Sequence, residues 1–173
     1  MMMGGQGDLL PVSAMPVDGT FPTATGRWEQ RSIAHEIPIW DPDICIDCAR
    51  CALVCPHAAI RIKVFDHDAV AGAPEGFATK ETRGRDFPGK LLTVQVMPDD
   101  CTGCGVCVDV CPAISKEEVR HKAINMLPKA PHLARERANE AFFTTIPEPR
   151  RWEVKLNSVK GSQLLDPLFE ASG

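Results

Sequence analysis

Two short stretches of this chain share one cysteine spacing, and that spacing constrains its fold more than anything else in the sequence. The first reads Cys45-Ile46-Asp47-Cys48-Ala49-Arg50-Cys51-Ala52-Leu53-Val54-Cys55-Pro56, the second Cys101-Thr102-Gly103-Cys104-Gly105-Val106-Cys107-Val108-Asp109-Val110-Cys111-Pro112. Both are C-x2-C-x2-C-x3-C-P, and together they hold all eight cysteines of the 173 residues. Three thiolates at two-residue intervals wrap a loop around three corners of an iron–sulfur cube. The fourth, one helical turn on, points away from that cube and in two-cluster proteins ligates the other one. The proline that follows lacks an N–H and turns the chain out of the site. The spacing therefore predicts two [4Fe–4S] clusters, one on Cys45, Cys48, Cys51 and Cys111, the other on Cys101, Cys104, Cys107 and Cys55. Crossed ligation locks the two halves together and keeps the clusters close, as electron tunnelling requires. Structural zinc would take two cysteines from each C-x2-4-C knuckle, which leaves the third cysteine and the Cys-Pro of each run without a role.

Composition excludes several other classes. A net charge of −4 and a pI near 5.7 lack the basic excess of a nucleic-acid-binding protein. No apolar run is long enough to span a bilayer, so no membrane partner is expected. Met1-Met2-Met3-Gly4-Gly5 has neither the basic nor the apolar region of a secretory signal. An extracellular disulfide scaffold spreads its cysteines to staple distant loops. Clustered thiolates in a chain of this kind point to a reducing compartment, the cytoplasm. No phosphate-binding glycine loop, nucleophile elbow or acid–base pair is present, so no catalytic residue is expected.

The chain divides into three parts: an extended arm, residues 1–36, a cysteine-bearing part, residues 37–127, and a C-terminal arm, residues 128–173, with a short helix. Three prolines and Gly19 between Pro11 and Pro22 argue against a helix in the first arm. The middle part is an internal repeat of strand, cysteine loop with a short helix after the third cysteine, and strand. Ile37-Pro38-Ile39-Trp40 and Leu91 to Met97 precede the runs; Ala59 to Val64 and Ala123 to Leu127 follow them. Alternation in Ile60-Arg61-Ile62-Lys63-Val64 and Leu92-Thr93-Val94-Gln95-Val96 predicts half-buried strands. Asp66 to Lys90, with four glycines and no clear period, reads as a surface loop. In the C-terminal arm the helix is expected over Leu133 to Phe143, packed through Leu133, Ala134, Ala138, Ala141 and Phe142. The acidity lies in the middle: residues 36–127 hold 14 Asp/Glu against 10 Lys/Arg.

Ile46, Leu53, Val54, Ile60, Val106, Val108, Val110 and Ile124 are the candidates for a dry shell around the clusters. Arg50, inside the first loop, is the candidate cation for raising that cluster's potential. His57 reads as a surface or packing residue, because eight thiolates already fill the ligand positions. Trp28, Trp40 and Trp152 read as packing anchors. Gly103 and Gly105 let backbone N–H groups approach the sulfurs, and the first run has glycine at neither position.

Beyond the cysteines, the chain resembles an internal segment of the pyruvate:ferredoxin (flavodoxin) oxidoreductases, large thiamine-diphosphate enzymes. The resemblance rests on Ser13 to Thr23, Ile37 to Pro42, Val54-Cys55-Pro56-His57-Ala58-Ala59-Ile60-Arg61, Asp100 to Gly105 and Ser162 to Glu170, and runs from about Gly7 to Gly173. It implies an α+β fold, a bacterial-type two-[4Fe–4S] ferredoxin-like core with a pseudo-twofold repeat and long N- and C-terminal arms. It also implies electron transfer to ferredoxin or flavodoxin from a third cluster that, with thiamine diphosphate, lies in other domains of the parent enzyme. The arms are then expected to wrap those domains, with Leu164, Leu165, Leu168 and Phe169 buried by a partner, and to exchange amides fast over residues 1–30 and 150–173. The alternative is a free-standing soluble two-cluster ferredoxin.

Overall fold

A computed structural model describes residues 4–20, 30–83 and 85–165. These fall into two units, residues 4–20 and residues 30–165. Trp28 lies outside the described residues. In the first unit, Gly7–Leu9 and Val12–Ala14 form single 3-10 turns, and Val12 and Val17 are fully open to solvent. The Asp18 carboxylate accepts hydrogen bonds from the Thr20 N–H and hydroxyl.

In the second unit the strands flank the cysteine runs: β1 (Glu36–Trp40) and β2 (Ile60–Phe65) either side of the first, β4 (Leu91–Val96) and β5 (Ile124–Pro128) either side of the second. A short β3 (Lys80–Glu81) lies between β2 and β4. Pairing is crossed. β1 runs antiparallel to β5, with Trp40 opposite Ile124, and β2 antiparallel to β4, with Ile62 opposite Val94. Each two-strand contact thus takes one strand from before one run and one from after the other, which brings the two cysteine loops together. α1 (Arg50–Leu53) and α2 (Val106–Asp109) each begin one residue before the third cysteine of a run rather than after it, and they pack against each other.

The strands are not half-buried. All six residues of β4 are buried, and the polar positions Lys63, Thr93 and Gln95 are no more than 4% exposed. Buried polar groups need partners, and the covering elements supply them. The Lys63 ammonium donates to the Phe143 and Ile146 carbonyls, 3.1 and 2.6 Å away. Thr93 donates to the Ala78 carbonyl, and Gln95 to the Glu136 carboxylate. The stretch 66–90 is accordingly more than a surface loop: it returns β3 to the sheet, pairing Lys80 with Leu92 and Glu81 with Leu91.

The same polar face is also covered by α3 (Lys129–Thr145), longer than expected and turned the other way. It follows β5 directly, and Pro131 sits in its first turn, where a missing N–H costs nothing. Its buried residues are Lys129, Glu136, Asn139 and Phe143, while Ala134, Ala138 and Ala141 face solvent. Helical spacing still sets the buried stripe, but the stripe is mostly polar because the sheet face beneath it is polar. Phe142 meets Phe77 edge to face, ring centroids 4.9 Å apart. The C-terminal stretch is also part of this unit. Val154 and Leu164 are buried in the main core with Ile62, Val64, Phe87 and Leu92. Leu164 is therefore covered by its own chain rather than by a partner; Leu168 and Phe169 lie outside the described residues.

Asp99 ties α3 to the loop before the second run. It accepts from Arg137 Nε at 2.7 Å and from the Ser32 hydroxyl, and Arg137 holds its carboxyl down at about 2. Glu140, one turn on, goes the opposite way. Burial first, then the charges of Asp100 and Asp99, lift it from an ordinary 4.5 to about 7. A carboxyl whose folded pKa is raised favours the fold below its unfolded pKa and loses that contribution as pH rises through the folded one. Glu140→Gln is therefore expected to raise the unfolding midpoint at pH 8 and to change it little at pH 4.5. The gain should be of order 1 kcal/mol, because solvent screens a partly exposed group. Equal effects at the two pH values would contradict this.

Candidate metal centre

The backbone of each run is shaped around its sulfurs by two left-handed residues. In the second run they are Gly103 and Gly105, at φ +73° and +76°. In the first run Asp47 and Ala49 occupy the same positions at φ +59°. The glycines are thus not required for this turn. A side chain in that conformation costs about 1–2 kcal/mol, and at Asp47 it is held from outside. The Asp47 carboxylate, 5% exposed as a residue, accepts from the Arg83 N–H and pairs with Lys80 Nζ at 2.9 Å. At Gly103 a Cβ would stand 3.2 Å from the Glu36 carbonyl oxygen, so close packing adds to the conformational reason for glycine there. The turns aim N–H groups at sulfur: Asp47 N–H at Cys45 Sγ, 3.5 Å, and Gly103 N–H at Cys101 Sγ, 3.4 Å. Ala59 N–H donates to Cys55 Sγ at 3.2 Å.

Two cavities, both partly open to solvent, lie at the runs. Cys45, Cys48, Cys51 and Cys111 line the first, and Cys55, Cys101, Cys104 and Cys107 the second. All eight are free thiols. Electrostatics groups them in the same way. Burial, then the neighbouring Cys45 and Cys48, push the Cys51 thiol up to about 12, with Cys111 a smaller contributor. Burial pushes Cys107 up to about 12, and Cys101, Cys55 and Cys104 add to it. Bare thiolates are thus disfavoured in both cavities, and a bound cation reverses that preference. Among the described residues no three Cys, His, Asp or Glu converge on the point a single ion would occupy. Four soft sulfur donors around a void, with N–H groups directed at the sulfurs, fit an iron–sulfur cube.

The shell differs in part from expectation. Ile60 and Ile124 are buried and line the second and first cavities respectively. Ile62, Leu92 and Val94 line the first, and Met126 the second. Ile46 and Val106 reach a cavity but stay 45% and 39% exposed, while Leu53, Val54, Val108 and Val110 line neither. Arg50 is exposed. The cation at the first run is Lys80, which spacing around the cysteines could not reveal because it comes from 35 residues away. His57 is exposed at the rim of the second cavity. Trp152 is 78% exposed and stacks under Arg150 rather than anchoring a core. Trp40 is half-buried; burial pushes the Cys45 thiol up, and the neighbouring Trp40 side chain offsets part of that. The longer insertion after Cys111 doubles back through an Ile114–Lys122 bridge, and Lys122 Nζ caps the carbonyls of Val108 and Asp109 at the end of α2.

Known families match all three parts of the chain. A 4Fe-4S dicluster domain matches residues 44–114, a 4Fe-4S single cluster domain residues 94–155, and a domain of unknown function residues 1–34. A pyruvate-flavodoxin oxidoreductase of Nostoc sp. is 51% identical over 99% of this chain. The pyruvate:ferredoxin oxidoreductase of Moorella thermoacetica is 47% identical over 97%. A mitochondrial pyruvate dehydrogenase [NADP(+)] of Euglena gracilis is 41% identical over 99%. The chain spans 14% of the first two relatives and 9% of the third. Along nearly its whole length, then, this chain is a homologue of one segment of the pyruvate-flavodoxin oxidoreductases, and in it that segment is a 4Fe-4S ferredoxin-type region.

Proposed function

We propose that this chain conducts electrons through two [4Fe–4S] clusters within a thiamine-dependent pyruvate:ferredoxin/flavodoxin oxidoreductase. The observation that carries the reading is the division of eight free thiols between two cavities, each lined by three cysteines of one run and the fourth of the other. Cys45, Cys48, Cys51 and Cys111 hold one cluster; Cys101, Cys104, Cys107 and Cys55 hold the second. Each cluster supplies one-electron redox chemistry at a potential set by charge, hydrogen bonds to sulfur and solvent access. The chain's own residues govern those three quantities. Ile62, Leu92 and Ile124 keep water from the first site, and the N–H groups of Asp47, Gly103 and Ala59 stabilise charge on sulfur. The crossed strand pairing supports a pseudo-twofold core of two-cluster ferredoxin type.

In the parent enzyme the electrons come from a third cluster beside thiamine diphosphate, both outside this chain, and leave to ferredoxin or flavodoxin. Residues 4–20, with no core of their own, act as an arm against neighbouring domains. Eight cysteines kept as cluster ligands suit a reducing compartment, and the cytoplasm is the location proposed; among the described residues no helix is long and apolar enough to cross a membrane. A free-standing carrier is disfavoured because the likeness to the oxidoreductases extends through both arms, over 99% of the chain. Loaded anaerobically, the chain is expected to take up electrons from a low-potential donor and return them to ferredoxin or flavodoxin, with no CoA-dependent oxidation of pyruvate. Pyruvate oxidation by this chain alone, or a colourless zinc-loaded protein, would overturn the assignment.

A further inference from the structure

The first cysteine loop carries a buried ion pair that has no part in holding a ligand. Lys80 reaches it from β3, at the end of the long return from β2, with its side chain 11% exposed. Its ammonium lies 2.9 Å from Asp47 Oδ1 and donates a short hydrogen bond to the carbonyl oxygen of Cys45. Asp47 stands between Cys45 and Cys48, and its carboxylate side chain is 1% exposed. Asp47 lines the first cavity, and Lys80 is held beside it by that carboxylate and the Cys45 carbonyl, so two opposite charges sit desolvated at the first cysteine loop. In such surroundings each acts on its neighbours with little screening. Arg50, in the same loop, is in solvent and screened.

From this placement we infer that Lys80 and Asp47 set the potential of the cluster held by Cys45, Cys48, Cys51 and Cys111, the lysine raising it and the aspartate lowering it. The long connection between β2 and β4 would then be the device that delivers the cation. Reduction adds one electron to the cluster, so a nearby positive charge favours the reduced state and a nearby negative charge disfavours it. The inference rests on the two-cluster reading above. The same pair also braces the left-handed backbone at Asp47, and a purely mechanical brace is the competing explanation. The two separate because either substitution breaks the same pair while removing opposite charges.

The test is an anaerobic redox titration of the loaded full chain, followed by EPR, for Lys80→Met, Asp47→Asn and Lys80→Arg. Lys80→Met is expected to shift the midpoint of one cluster to more negative potential. Asp47→Asn, which keeps the shape and can still accept from the Arg83 N–H, is expected to shift the same cluster to more positive potential. Lys80→Arg should leave it near the parent value. Shifts of the same sign from Lys80→Met and Asp47→Asn, or unchanged midpoints in both, would overturn the inference. If Lys80→Met fails to hold its cluster, Asp47→Asn decides: a positive shift supports the inference, and any other result overturns it. Absence of two four-iron signals in the unsubstituted chain would instead defeat the underlying reading.

Discussion

Leu164→Ala should destabilise the cluster-loaded chain by about 2–5 kcal/mol, the usual range for truncating a leucine in a well-packed core. Leu164 is 1% exposed and belongs to the same apolar cluster as Ile62, Val64, Phe87 and Leu92. The helical turn that presents it, α4 (Val159–Ser162), is capped by the Ser158 hydroxyl accepting from the Gly161 N–H. Gly161 is packed so closely that a Cβ would lie 2.0 Å from the Lys155 carbonyl oxygen. Lys155 in turn pairs with Asp86, and Lys160 donates to the Arg83 carbonyl, on the residue whose N–H holds Asp47. The segment is therefore fastened to the same stretch that braces the first cysteine loop. Val159→Ala, at a side chain 45% exposed, should change stability by no more than about 0.5 kcal/mol. Denaturant midpoints measured anaerobically check both. Equal midpoints for Leu164→Ala and the parent would mean that residues 154–164 are not part of the core, and fast amide exchange there would say the same.

Cys55→Ala should abolish the four-iron signal of the other run's cluster. Cys55 follows α1, beyond the turn that carries Cys51, and its sulfur accepts from the Ala59 N–H at the start of β2. There it lines the cavity of Cys101, Cys104 and Cys107 and raises the pKa of the Cys101 and Cys107 thiols by charge repulsion. Cys111 is placed in the reciprocal way, lining the cavity of Cys45, Cys48 and Cys51. A cluster left with three protein ligands loses its fourth iron readily, so each substitution should cost one four-iron signal and spare the other. Loss of both signals would mean that the two sites are not independently held.

The parts of this architecture that are legible in the sequence are those that rest on local spacing. The cysteine runs carry their own geometry, and strands β1, β2, β4 and β5 follow apolar stretches whose limits are within about two residues of the observed ones. What is not legible depends on partners far along the chain. Lys80 sits in a two-residue strand with no periodicity of its own, and only pairing with Leu91 and Leu92 brings it to the first run. Asp47 and Ala49 adopt the turn that glycine marks in the second run, and an ion pair to a residue 33 positions away braces Asp47, so composition gives no sign of it. The apolar positions of α3 do not mark its inner face. That face is set instead by Lys63 and Gln95 on the sheet, which need carbonyl and carboxylate acceptors. The same cause hides the burial of β2 and β4, whose polar residues look outward-facing until their partners are known.

The central claim, that each cluster takes three cysteines from one run and the fourth from the other, is tested most directly by comparing four variants under anaerobic reduction with EPR. Cys48→Ala and Cys104→Ala serve as references, because each removes a cysteine from the interior of one run and so marks one cluster. The Cys55→Ala spectrum should match that of Cys104→Ala, and the Cys111→Ala spectrum that of Cys48→Ala. If Cys55→Ala instead matches Cys48→Ala, each run holds its own cluster with its own four cysteines, and crossed ligation is wrong.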